Sequence, residues 1–219
     1  MLKDNNVHLI ADIGNVGPDY LPGHAHADTL SFELSIKGQR VIVNSGTSEY
    51  GMSNERLRQR STSAHSTIEV DRTSSSEVWS GFRVARRARV SEIKKHMDIY
   101  SIQFCATHDG YTRLANRPRH KRSWRISEGE LEIFDEVTGK GNDINLRFYI
   151  HPDIQVFQND YELTLKTTAG IISKITSSQI MKVNSATYHD EFGISRKNSC
   201  LSIEGSTPFT NIITINWNN

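Results

Sequence analysis

The feature that most constrains this chain is an alternation of apolar and polar residues that runs into a short turn. Apolar residues occupy every second position from 30 to 36, so their side chains share one face of an extended strand. Lys37-Gly38 separates this strand from a second strand-like run at 40–43, of which 41–43 are apolar, and two residues ending in glycine suit a tight turn. We therefore expect a β-hairpin with one buried face.

Similar short runs recur along the chain and are separated by Gly, Asn, Asp or Ser, which favour turns. They predict further strands at 67–70, 82–90, 100–107, 131–137, 146–150, 161–167, 171–175, 192–195, 200–204 and 211–217. Only 53–60 is typical of a helix, with Ser53 as N-cap and Glu55 in the first turn. No repeat or linker divides the chain, so the sequence predicts one all-β domain over residues 1–219, an antiparallel β-sandwich.

Composition narrows the classes of partner. The chain has 26 Lys and Arg against 25 Asp and Glu, a formal charge of +1, so no global field favours nucleic acid or an anionic membrane. No run approaches the roughly 20 apolar residues of a membrane-spanning helix. Cys105 and Cys200 lie far apart; a disulfide between them is one alternative, and two unpaired strand thiols are the favoured one.

Histidines concentrate in the segment GHAHAD at residues 23–28, just before the first clear strand. In extended backbone His24 and His26 point to the same side, so both imidazoles can address one volume. Such a pair suits metal binding or a ligand beside a base, although an isolated His-x-His also occurs by chance. VIVNSGT at 41–47 and SAHST at 63–67 bring further polar residues to strand ends, and we expect the three strand ends to converge.

Several motifs in order resemble the heparinase II/III-like family. They are GHAHADTLSFEL, VNSGT with EYG, LRQRSTSAHSTIEVD, EVWSGFRVARRA, HDGYTRL with RHKRSW, and RFYIHPD. Together they cover about two thirds of the chain, and the combination is more specific than any single piece. The resemblance implies the C-terminal β-sandwich domain of a polysaccharide lyase.

The resemblance also implies roles for individual residues. It places His24 in the catalytic cleft, and Tyr50 near a position where some relatives carry a substrate-contacting Tyr. It assigns His26, Asn44 and His65 to a metal site, usually zinc, with a structural rather than Lewis-acid role. Since the family usually has Asp at the position of Asn44, and a neutral amide is a poorer zinc ligand, we expect weak or absent zinc.

In this family the sandwich packs against an α/α-toroid domain, and the enzymes cleave uronic-acid-containing polysaccharides, such as glycosaminoglycans or alginate, by β-elimination. The implied partners are therefore an acidic polysaccharide and a toroid domain, which supplies the main Tyr, an Asn and another His. The sequence shows no toroid, so the chain alone is expected to be inactive. The family implies a periplasmic or secreted location, although no signal peptide is visible at the start of the sequence.

Arginines form two clusters that are candidates for glycan contact. The first contains Arg56, Arg58 and Arg60, and the second contains Arg83, Arg86, Arg87 and Arg89. Strand alternation predicts that most of the second cluster shares one face. We expect Arg60 and Arg87 to bind substrate, while a solvated face or ion pairs would explain the clusters equally well.

The sequence leaves two alternative functions. One is a cupin, a metal-binding barrel whose first motif has a Glu shortly after its second His. It is disfavoured because the next Glu here, Glu33, lies seven residues after His26 and on the strand face opposite Phe32 and Leu34. The stronger rival is a non-catalytic glycan-binding or structural module, which Asn44 and the missing toroid would both favour.

Overall fold

The computed structural model describes residues 7–159, 161–168 and 170–217. Residues 1–6, the start of the segment in which no signal peptide is visible, lie outside this range. The first elements are β1 (Val7–Ala11), β2 (Phe32–Ile36), β3 (Gln39–Val43), α1 (Asn54–Arg60), a 3₁₀ turn (Thr62–Ala64), β4 (Ile68–Val70), β5 (Val78–Trp79), β6 (Arg83–Val84), β7 (Val90–Met97), β8 (Ser101–His108) and β9 (His120–Ser127). They are followed by β10 (Glu130–Val137), β11 (Asp143–Ile150), β12 (Gln155–Asn159), β13 (Glu162–Thr167), β14 (Gly170–Ser177), β15 (Lys182–Tyr188), β16 (Arg196–Ser206) and β17 (Phe209–Asn216).

The strands form two large antiparallel sheets and one small hairpin. The first sheet has the order β1-β2-β3-β11-β16-β15, with β4 also paired to β11. The second sheet has the order β12-β13-β14-β17-β10-β9-β8-β7, while β5 and β6 pair only with each other. Buried residues of both large sheets form one apolar cluster, in which Phe32 of the first sheet contacts Trp124 of the second, with ring centroids 6.5 Å apart. The predicted antiparallel β-sandwich is confirmed.

The first hairpin and the helix form where the sequence predicts them. Lys37 and Gly38 both have positive φ, 52° and 78°, which is the backbone of the tight turn that matches strand twist. Ser53 caps α1 by accepting a hydrogen bond from the Arg56 backbone N–H at 2.9 Å. This cap stabilises a helix of only seven residues.

A chain of buried polar groups crosses the core. His108 Nε2 lies 3.3 Å from His120 Nδ1, and His120 Nε2 lies 2.7 Å from an Asp135 carboxylate oxygen. Arg122 binds both Asp135 oxygens at 2.8 and 3.0 Å, and it donates to the backbone carbonyls of Leu30 and Ser66. Arg122 thus links the second sheet to segments that flank the first.

Two predicted strands are wrong. In the run 82–90, Arg83–Val84 forms β6 and Val90 begins β7. Residues 85–89 lie in neither strand, and Ser76 Oγ and Asp109 Oδ1 accept the backbone N–H groups of Ala88 and Arg89. The arginines after β6 therefore do not share a strand face. Residues 192–195 form a turn with Gly193 at φ 75° rather than a strand.

Cys105 and Cys200 are both free thiols. The alternative of a disulfide between them is therefore wrong. Within the ranges that the structure covers, no helix is long and apolar enough to cross a membrane.

Candidate active site

One end of the first sheet gathers the residues that the motifs single out. Because β1 pairs Ala11 with Phe32 and β2 turns back into β3 at Lys37-Gly38, the loops 12–31 and 44–53 leave the sheet at the same end. The segment before β4 joins them, since Ser66 Oγ donates to the Val43 carbonyl at 2.7 Å. The three strand ends converge as predicted.

The loop that carries His24 and His26, which we call the histidine loop, is held against the end of α1 by backbone and side-chain hydrogen bonds. The Ala27 N–H donates to the Arg60 carbonyl at 2.8 Å, and Thr62 Oγ1 donates to the Ala27 carbonyl at 2.6 Å. The Arg60 guanidinium donates to the Ala25 carbonyl through Nη2 at 3.0 Å and to the Ser80 carbonyl through Nη1 at 3.3 Å. Arg60 is fully buried, and burial, with Arg56 beside it, lowers its pKa to about 10.

His24 lies in an aromatic cluster that is open to solvent. Its ring centroid is 5.2 Å from that of Tyr50 and 5.5 Å from that of Phe82, and Phe192 lies 4.8 Å from Tyr50. Tyr50 is 51% exposed and Phe82 44%. We call His24, Tyr50, Phe82 and Phe192 the aromatic cluster. The cluster places His24, the predicted catalytic histidine, beside Tyr50, the predicted substrate-contacting tyrosine.

Gly81 allows the segments that carry Tyr50 and Phe82 to lie in contact. The backbone carbonyl of Gly51 would lie 2.2 Å from a Cβ atom at Gly81, so only glycine allows the β5–β6 turn to approach the loop after β3 so closely. Gly81 precedes Phe82, and Gly51 follows Tyr50. The contact therefore brings the two rings together, at 5.7 Å between centroids.

Two of the three predicted metal ligands, His26 and His65, are in contact beside the aromatic cluster, and Asn44 binds the backbone next to His65. His26 Nδ1 lies 3.3 Å from His65 Nε2, and Asn44 Oδ1 accepts the backbone N–H of Ser66 at 2.9 Å. Burial lowers the pKa of His26 to about 2, with His65 and Arg56 acting in the same direction. Burial also lowers the pKa of His65 to about 4, so both imidazoles are neutral at pH 7.

These residues fit a zinc ion poorly. Among the residues that the structure describes, no group of three or more His, Cys, Asp or Glu side chains is placed to hold a metal. Asn44 supplies a neutral oxygen where zinc sites prefer a carboxylate. The Arg56 guanidinium stands next to His26, with Nη1 3.1 Å from His26 Nε2. Zinc binding, expected from the resemblance to be weak, remains a prediction.

The structure shows where the predicted substrate-binding arginines lie. Arg60 donates its hydrogen bonds to the backbone carbonyls of Ala25, in the histidine loop, and Ser80. Arg87 donates to the Val16 carbonyl at 3.1 Å and to the Asp19 carboxylate at 2.6 Å, and its side chain is 24% exposed. Both therefore hold the loop 12–31, and their contact with glycan remains a prediction.

Sequence reasoning missed the part played by Arg56 and Phe82. Arg56 and Arg60 are four residues apart on α1, a spacing that places them on one helix face, whereas Arg58 faces Glu55 and His189. That spacing was visible in the sequence. The contribution of Phe82 depends on the Gly51–Gly81 contact, which no sequence pattern predicts.

The stacked antiparallel sheets and the histidine-rich end of the first sheet together define a sandwich domain of the heparinase type. The chain belongs to the heparinase II/III-like, C-terminal family, whose profile matches residues 1–217. The family resemblance expected from the motifs is thus confirmed. A comparison with curated proteins found no match.

Solved structures share the fold. Heparan sulfate lyase HepC from Pedobacter heparinus is 19% identical, with a TM-score of 0.78 over 98% of this chain and 33% of that one. The heparinase III BT4657 gene product is 17% identical, with a TM-score of 0.74 over 99% of this chain and 36% of that one. A further heparinase III is 15% identical, with a TM-score of 0.73 over 95% of this chain and 33% of that one. The chain therefore spans about a third of the length of these proteins.

Proposed function

We propose that this chain is the β-sandwich part of a polysaccharide lyase that cleaves uronic-acid-containing glycans by β-elimination. The observation that carries the proposal is the contact between His24 and Tyr50, whose rings lie 5.2 Å apart at a solvent-open end of the sandwich. Membership of the heparinase II/III-like family supports it. The names of the solved relatives point to glycosaminoglycans as the substrate class, and nothing in the comparisons supports alginate.

The chemistry needs a base and an acid near one sugar ring. A base takes the C5 proton of the uronate, the released electron pair forms the C4–C5 double bond, and the C4–O4 bond breaks. The departing O4 then takes a proton from the acid. Histidine and tyrosine are both able to transfer protons in this way, and we propose that His24 is one of these groups, with Tyr50 beside it at the same sugar.

The rest of the site would come from outside this chain. Because the chain spans about a third of its solved relatives, we propose that an α/α-toroid domain covers the aromatic cluster and completes a cleft for the acidic polysaccharide. The uronate carboxylate must be neutralised for its C5 proton to leave, and hydrogen-bond donors or cations would do this. A periplasmic or secreted location is part of the same proposal.

The test is the ultraviolet absorbance of the unsaturated uronate product, measured with a panel of acidic polysaccharides. The protein should be the longest native polypeptide that contains this chain, compared with the chain alone. Since general acid–base groups typically contribute about 10²–10⁴-fold to a rate, His24→Ala should lower the rate by about 10²-fold or more, and Tyr50→Phe should also lower it.

His96→Ala is the matched control, because that side chain is 73% exposed on β7 in the second sheet. It should leave the rate unchanged. Full activity in His24→Ala would refute the proposed role of His24. Binding of a glycan without any cleavage would instead favour the non-catalytic module.

A further inference from the structure

The contact between His26 and His65 has two physical explanations. Their facing nitrogens are 3.3 Å apart. Two neutral imidazoles joined by a hydrogen bond give a spacing of this order, and so do two ligands of one tetrahedral zinc, whose bonds of about 2.0–2.1 Å place ligand nitrogens about 3.3 Å apart. The distance alone does not distinguish the two.

Arg56 distinguishes them. Its guanidinium has only donors, and Nη1 lies 3.1 Å from His26 Nε2, so this ring nitrogen must accept. The proton of the neutral His26 ring is then on Nδ1, which donates it towards His65 Nε2. A metal on His26 Nδ1 would move that proton to Nε2, where it would face the N–H groups of Arg56.

The charges around the pair also oppose a divalent ion. Arg56 and Arg60 are both fully buried, and within the described ranges neither has a carboxylate oxygen closer than 4.0 Å, whereas Arg58 on the same helix pairs with Glu55 at 2.6 Å. Asn44 brings no negative charge. A zinc ion here would add two positive charges beside buried cations that have no counter-ion.

Arg56 contacts the aromatic cluster as well. Its Cζ atom lies 5.0 Å from the centroid of the Tyr50 ring and 5.9 Å from that of Phe82, and its Nε donates to the Gly81 carbonyl at 3.4 Å. Arg56 therefore links three segments: the histidine loop, the loop that carries Tyr50, and the β5–β6 turn.

We propose that the Arg56 guanidinium takes the place of a metal ion in this chain and positions the His26–His65 pair and Tyr50 by direct contact. The site then binds no stoichiometric zinc. The role of these groups in a lyase rests on the proposed function, but the hydrogen-bond chain from Arg56 through His26 to His65 does not, and the tests below require no activity.

The first test is nitrogen-15 NMR of the imidazole rings in the wild-type chain at neutral pH. The proposal predicts that His26 carries its proton on Nδ1 and that Arg56→Lys or Arg56→Met changes the His26 ring signals. Arg58→Met is the matched control, because Arg58 contacts Glu55 and His189 instead, and it should leave those signals unchanged. A proton on His26 Nε2 in the wild type would overturn the proposal without any variant.

The second test is zinc content and zinc affinity after purification with a chelator. The wild type should hold much less than one zinc per chain. The double variant Asn44→Asp/Arg56→Met should bind zinc at least about tenfold more tightly than Asn44→Asp alone, because it also removes a buried positive charge next to the ligands. Stoichiometric zinc in the wild type, or equal affinities in the single and double variants, would overturn the proposal. If the wild-type polypeptide showed no lyase activity while both tests gave the expected results, the proposed function would be wrong and this inference would still hold.

Discussion

The buried carboxylate of Asp135 should be the most stability-critical charge in the described core. Its side chain and those of Arg122 and His120 are fully inaccessible, and Arg122 contacts it through two hydrogen bonds of 2.8 and 3.0 Å. Asp135→Asn keeps the shape of the side chain but removes the negative charge, so Arg122 is left as a buried cation without its partner. Burial opposes the charge on Asp135, but the Arg122 cation and the hydrogen bond from His120 outweigh this effect and lower the pKa of the carboxyl.

The expected cost follows from that burial. Removing one partner of a buried ion pair destabilises a protein by about 3–5 kcal/mol. For a chain of this size each kcal/mol lowers the melting temperature by about 2–4 °C, so Asp135→Asn should melt roughly 6–20 °C below the wild type. Urea unfolding monitored by tryptophan fluorescence, with Trp124 on the strand that carries Arg122, would measure the same change as a free energy.

Glu204→Gln is the matched control for this variant. It is the same carboxylate-to-amide change in an ion pair of similar length, 2.6 Å to Lys182, but both side chains are more than half exposed. Exposed ion pairs contribute little to stability because water screens them, so this variant should melt close to the wild type. Equal losses of stability in Asp135→Asn and Glu204→Gln would show that burial does not make the Asp135–Arg122 pair more important than an exposed pair.

Two further predictions concern the stability of the fold. Gly46 has φ 79°, and a Cβ there would lie 1.9 Å from the His189 carbonyl oxygen. Gly38 has nearly the same φ, 78°, but open space around it, so Gly38→Ala should lower the free energy of unfolding in denaturant by about 1–2 kcal/mol and Gly46→Ala by more than about 2 kcal/mol. Equal losses in the two variants would contradict the clash at Gly46. Burial lowers the pKa of both His108 and His120. Below the ordinary histidine pKa of about 6.5, the unfolded chain therefore binds more protons at these two residues than the folded chain does. As the pH falls from 7.5 to 5.5, the pair should lower the free energy of unfolding by up to about 2–3 kcal/mol. Unfolding at the two pH values checks this: His108→Gln should reduce the loss, and an unchanged pH dependence in that variant would count against it.

The sequence predicted elements whose burial follows residue type. β2 alternates buried and partly buried positions as its apolar residues do, and its turn to β3 is specified by two residues. β9 alternates in the same way, but its buried face is His120, Arg122 and Trp124. Charged residue types conceal that alternation, so β9 was not predicted.

Edge strands were missed for a different reason. β7 and β15 lie at the ends of their sheets, and most of their side chains are exposed. A strand without a buried face has no apolar alternation to detect. Their positions depend on pairing with β8 and β16, which sequence patterns do not reveal.

The site was partly predictable. The motifs predicted that His24, His26, Asn44 and His65 would converge, and the structure brings their segments together. The contacts that Arg56 makes with His26 and Tyr50 depend on how α1 lies against the histidine loop and the β5–β6 turn. Such tertiary placement is not encoded in any single motif.

Product analysis in oxygen-18 water distinguishes elimination at His24 from hydrolysis and from simple binding. The longest native polypeptide containing this chain would be incubated with glycosaminoglycans, and the fragments analysed by mass spectrometry. Elimination breaks the C4–O4 bond without adding water, so we expect unsaturated uronate ends free of oxygen-18. Saturated non-reducing ends would show hydrolysis, in which oxygen-18 enters at the new reducing ends, and would rule out elimination. Intact polysaccharide bound to the folded protein would rule it out in favour of a binding module.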